Sequence, residues 1–126
     1  MRGKAIGLVM LLAAAIAGAG CILEPSVPGQ PSYEADVKPI LEARCIRCHG
    51  FPQVGGAPSR FDVYACPAPD GTTCDTAAKD HALAMVGRIK LDKDHPSHMP
   101  PKPAAPLSPY QIDTLDKWSK QNPPSP

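Results

Sequence analysis

Apolar residues recur at helical spacing in three stretches of the chain, and proline and glycine break the period between them. In the first, Tyr33 to His49, residues Val37, Ile40, Leu41 and Cys45 fall on one face. Ser32 is the N-cap, Glu34 and Asp36 favour the first turn, and Pro39 is expected to delay or kink the helix. In the second, Asp75 to Leu91, the stripe is Ala78, Ala82, Met85, Val86 and Ile89. The third opens at Ser108, with Pro109 at the first helical position and Gln111 completing a capping box. Ile112, Leu115 and Trp118 then recur along one side. The pattern predicts an all-α domain over 33–121, of three to four helices joined by long Pro-rich loops.

The start of the chain has a different pattern. Two cations, Arg2 and Lys4, precede an uncharged run from Ala5 to Gly20. A basic start, a short apolar stretch and small residues read as a secretory signal over 1–20. The run falls short of the ~20 residues that span a bilayer. Ala19-Gly20-Cys21 resembles the lipobox of bacterial lipoproteins, although Gly18 stands where such sequences favour leucine. That resemblance implies lipidation at Cys21; cleavage near Ala17 or Ala19 is the alternative. Residues 21–32 then form a stiff proline-rich tether from the membrane. The expected location is the periplasmic side of a bacterial membrane. Ile22 resembles the residue that directs sorting to the outer membrane. Residues 122–126 read as a disordered tail.

Charge and cysteine content narrow the function. Without residues 1–20 the chain keeps 11 basic and 12 acidic side chains, a balance that excludes a nucleic-acid partner. Aromatic residues make up 5%, which leaves a thin core that a large apolar cofactor would complete. Five cysteines are an odd number for an oxidising compartment. Cys21 is assigned to lipid. Cys66 and Cys74, flanking a segment that contains Asp70-Gly71, are expected to form a disulfide.

Cys45-Ile46-Arg47-Cys48-His49 is the strongest chemical signal. Two thiols at this spacing take the vinyl groups of a haem, and the adjacent imidazole meets the iron, so the motif reads as attachment of one haem c. A thioredoxin-like redox pair would follow a strand, and a zinc site would recruit Cys66 and Cys74; both are weaker readings. The second axial ligand comes from Met85, Met99, His81, His95 or His98. Met99, followed by Pro100 and Pro101, is the choice, and His98 is the runner-up. Arg60, Arg88 and Trp118 are candidate haem contacts, the arginines for the propionates.

Val37-Lys38-Pro39-Ile40-Leu41, the Cys45–Gly50 motif, Met99-Pro100-Pro101, Leu107-Ser108 and a closing helix with Trp118 together resemble the planctomycete-type cytochrome c domain. The resemblance implies a small class I cytochrome c-like fold, with thioethers at Cys45 and Cys48 and axial ligands His49 and Met99. It also implies that the closing helix crosses the first one near Trp118. Family members are often domains of larger proteins, and the Cys66–Cys74 loop looks like an insertion. The implied function is one-electron transfer between a redox donor and a redox acceptor protein. No acid–base constellation points to an enzyme. The alternative is a haem enzyme or a gas- or peroxide-binding sensor with an open distal site.

Overall fold

A computed structural model describes residues 25–126. The signal segment and Cys21 lie outside the described residues. Among those described the chain is helical, with no strand and no helix long and apolar enough to cross a membrane. A π-helical turn, Tyr33–Val37, leads into α1 (Lys38–Arg44) and then α2 (Ile46–His49). After a long irregular stretch, a 3-10 turn, Ala78–His81, opens α3 (Ala82–Ile89). A second irregular stretch precedes α4 (Pro109–Ser119).

Local chemistry explains the starts. The Ser32 hydroxyl accepts from the Ala35 amide at 3.2 Å, and the Ser32 amide donates to Asp36 Oδ2 at 2.8 Å. Pro39 has no N–H, so the ladder cannot run unbroken through it. The chain absorbs the gap as a widened π turn and starts the α-helix at Lys38, with the proline in its first turn. At α4, Ser108 Oγ accepts from the Gln111 amide at 3.2 Å and Gln111 Oε1 accepts from the Ser108 amide at 2.9 Å. Pro109 fills the first helical position.

The predicted stripes form the core. Val37, Ile40, Leu41, Ala78, Ala82, Met85, Val86, Ile89, Leu115 and Trp118 are all buried in one cluster. α3 packs on α4, and α4 also meets the π turn, where the Trp118 and Tyr33 rings lie 6.0 Å apart. Asp116 of α4 bonds Lys120 and, at the end of α3, Lys90; those two ammonium groups hold its carboxyl below the usual carboxylate range.

Two terminal expectations are corrected. The 122–126 tail is docked rather than disordered. The Ser125 carbonyl accepts from the Tyr33 amide at 3.0 Å and from Trp118 Nε1 at 2.7 Å, and the Pro124 carbonyl accepts from the Tyr64 hydroxyl at 2.6 Å. The tether also ends earlier than residue 32, because Pro31 is fully buried and its carbonyl accepts from Gln121 Nε2 at 2.8 Å. Each segment offers backbone carbonyls to donors of the packed domain, a role that needs no apolar side chain.

The Cys66 and Cys74 sulfurs lie at disulfide distance, with their Cα atoms 5.6 Å apart. The enclosed turn explains the closure. Gly71 adopts φ +79°, a region costly for other residues, and Asp70 Oδ1 accepts from the Thr72 amide at 2.9 Å.

Candidate functional site

Cys45, Cys48 and His49 stand at positions i, i+3 and i+4 of a helical path, which places all three on one face. The Cys45 amide still bonds the Leu41 carbonyl of α1, while the Cys45 carbonyl accepts from the amides of Cys48 and His49 at 3.1 and 2.9 Å. The turn ends at Gly50, whose amide bonds the Ile46 carbonyl at 2.9 Å. A Cβ there would lie 2.7 Å from that same carbonyl oxygen, so the close return after His49 requires glycine.

The His49 ring is fixed on two sides. It stacks on Phe61, with centroids 4.3 Å apart and planes 10° from parallel. Its Nδ1 lies 3.0 Å from the Ser59 carbonyl oxygen. A carbonyl only accepts, so Nδ1 carries the proton and donates it. In the neutral ring Nε2 is then left with its lone pair free for a metal. Ligating histidines are commonly oriented by such a bond from their other nitrogen.

All three motif residues line a cleft of about 500 Å³, within the size range of small-molecule and cofactor sites. Its walls come from α1, α2 and α3, from the loop Val54–Ser59, and from Met99, Pro100, Pro101 and Leu107. Met99 is held there through its backbone: its amide donates to the Arg88 carbonyl at the end of α3 at 3.2 Å.

The cleft sorts the sequence candidates. Met85, Met99 and His81 line it with His49. His98 does not: its Nδ1 donates to the Leu91 carbonyl at 2.9 Å, and it faces a smaller surface recess shared with His95, Lys93 and Lys102. Met85, expected as a core residue, is buried and lines the cleft as well.

Arg88 lines the cleft and Arg60 does not. Arg60 is neither a cleft contact nor a solvated charge; it is 2% exposed. Asp62 takes its Nε at 2.9 Å and one terminal nitrogen at 2.5 Å, Thr72 takes the other, and the guanidinium lies over Phe51. Asp62 holds it protonated. Trp118 is also away from the cleft, in the core, where its indole N–H is used by the tail. Arg44, at the last turn of α1, lines the cleft and was missed; its position directly before Cys45 was the available signal.

The rival chemistries find less support. Burial pushes the Cys45 thiol up to about 11, opposite to the lowered pKa of a reactive redox cysteine. Cys66 and Cys74 are engaged with each other, and among the described residues no group of three or more His, Cys, Asp and Glu is gathered for a metal ion. A zinc site would need such a group. Compared with models of protein families, with curated proteins and with solved structures, the chain has no significant match.

Proposed function

We propose that the chain is an exported, membrane-anchored mono-haem cytochrome c that carries single electrons between protein partners, with a class I-like cytochrome fold. The observation that carries the reading is the convergence on one largely apolar cleft of Cys45, Cys48, His49 and Met99. These residue types fit a covalently held haem: two thiols that would take its vinyl groups, and an imidazole and a thioether that would ligate its iron. When bound, that group supplies a centre that gains and loses one electron.

The chain's own residues supply the rest. His49 presents Nε2, oriented by Ser59 and Phe61. Cys45, between α1 and α2, and Cys48, within α2, would hold the cofactor's edge. Met99 is preferred to Met85 and His81 because it stands in a proline-stiffened loop tied to α3, with little freedom left to lose. Met/His ligation raises the potential relative to bis-histidine ligation, which suits a carrier. Ile89, Leu107, Pro100 and Pro101 give the cleft apolar walls beside Met99. A lipid on Cys21, joined to the domain by the residues before Pro31, would keep the domain at the membrane surface.

The test is expression in a host that exports and matures c-type cytochromes. The expected product carries one haem that survives denaturing electrophoresis, and both Cys45→Ala and Cys48→Ala reduce that covalent signal. The oxidised protein should show the weak red-edge absorbance of a Met–Fe(III) bond, lost in Met99→Leu and retained in Met85→Leu and His81→Gln. A chain that matures without haem overturns the reading. A haem-loaded chain lacking that band in the wild type favours the open-site enzyme or sensor instead.

A further inference from the structure

The charged lining of the cleft has one sign. Arg44 and Arg88 line it, with His81, and no aspartate or glutamate does. Among the described residues neither arginine makes a side-chain hydrogen bond or an ion pair, whereas Arg60 is fully committed to Asp62 and Thr72. Arg44 is half-buried at the last turn of α1, and Arg88 is exposed on α3 at the rim of the cleft. Two free guanidinium groups on an apolar cleft call for a ligand with an apolar body and carboxylates, because each fork matches a carboxylate through two parallel bonds.

We propose that Arg44 and Arg88 form a carboxylate clamp that holds the two propionates of the bound haem. This rests on the haem reading above and deepens it by orienting the cofactor. Cys45 and Cys48 would fix one edge of the macrocycle and the arginines its carboxylate edge. Arg44 adjoins the attachment cysteine, and the Arg88 backbone carbonyl holds the Met99 amide at 3.2 Å. The clamp, His49 and Met99 would therefore share α1, α2 and α3 as supports. Neutralising the propionates also favours the ferrous over the ferric state, so the clamp would raise the potential.

The test uses the matured haem protein at a single pH, with two readouts: the midpoint potential and the propionate bending band in the resonance Raman spectrum. Arg44→Gln and Arg88→Gln should each lower the midpoint and shift the band. Lys93→Gln, an exposed cation outside the cleft and the motif, and His81→Gln, the other ionisable group of the lining besides the motif residues, should leave the band in place. If Arg44→Gln fails to mature, Arg44→Lys retains the charge but lacks the fork, and should shift the band with a smaller change in potential. A band unmoved in the Arg44 and Arg88 variants overturns the clamp, whether the arginines then prove to be solvated or to bind a partner protein's carboxylates. A wild-type chain without haem overturns the underlying reading as well, so the two failures are distinguishable.

Discussion

The Nδ1–H of His49 donates to the carbonyl oxygen of Ser59 at 3.0 Å, and that bond is supported from outside the motif. Ser59 Oγ accepts from Thr76 Oγ1 at 3.2 Å, and the next amide, that of Arg60, donates to the Thr76 carbonyl at 3.2 Å. On the ring's face, Phe61 stacks on the imidazole while its own carbonyl accepts from the buried Tyr33 hydroxyl at 2.8 Å. The orientation of His49 is therefore set by residues 59–61, which are ten or more positions downstream and held by the core.

Phe61→Ala should be costly for that reason. Phe61 is 7% exposed within the core cluster, so truncation removes buried area, leaves a cavity and frees one face of His49. The expected loss is roughly 3–5 kcal/mol of unfolding free energy. Phe61→Leu, which keeps most of the volume, should lose less than half of that. Urea titration followed by circular dichroism gives both values; an alanine variant within 1 kcal/mol of wild type would mean that Phe61 does not brace the site.

The Cys66–Cys74 bridge closes a short loop, and that loop supplies Thr72 to the buried Arg60 guanidinium. Reduction should free the loop and lower stability by about 2–3 kcal/mol on chain-entropy grounds. The thioethers proposed at Cys45 and Cys48 would survive the same reductant. Denaturation midpoints with and without dithiothreitol should differ in the wild type and coincide in Cys66→Ala/Cys74→Ala. Equal midpoints in the wild type would show that the loop is held by Arg60 and Asp70 without the bridge.

Gly50→Ala tests how tightly the chain turns after His49. The added carbon would sit 2.7 Å from both the Ile46 carbonyl oxygen and Ile46 Cγ2. The side-chain atom could move aside; the backbone oxygen, already bonded to the Gly50 amide, could not without opening α2. A penalty of about 1–3 kcal/mol follows from such overpacking. If covalent haem attachment is also read, the variant should mature in lower yield than wild type. Unchanged stability and yield would show that the turn has slack.

What the sequence revealed was what local chemistry decides. The helical faces buried in the core were legible because they follow from spacing within one element, and Ser32, Ser108 and Gln111 signalled their caps by type. The common face of Cys45, Cys48 and His49 follows from their offsets in the same way. The choice between arginines was not legible. Arg60 turns into the Asp62–Thr72 network and Arg44 onto the cleft, and that depends on how residues 59–76 fold back on α2. Ser59 was invisible as a partner of His49, because a carbonyl acceptor leaves no trace in residue type. Composition misjudged the tail for the same reason.

That tail gives the last prediction. Ser125 accepts two donors through one carbonyl, the Tyr33 amide and the Trp118 indole, and Pro124 accepts the Tyr64 hydroxyl. Gln121 Oε1 in turn accepts from the Ser125 amide at 2.8 Å, which fixes the approach of the tail. Three prolines among residues 122–126 reduce the entropy lost on docking. Removing residues 122–126 should strand three donors beside the core. At about 1 kcal/mol per bond, the loss should reach roughly 2–4 kcal/mol once incompletely rehydrated donors are counted. Trp118 is the single tryptophan, so its emission reports the event directly. The truncated chain should emit further to the red and unfold at lower urea. An emission maximum and a midpoint both equal to wild type would show that water replaces Ser125 at no cost, and that the tail is dispensable to the crossing of α4 over the π turn.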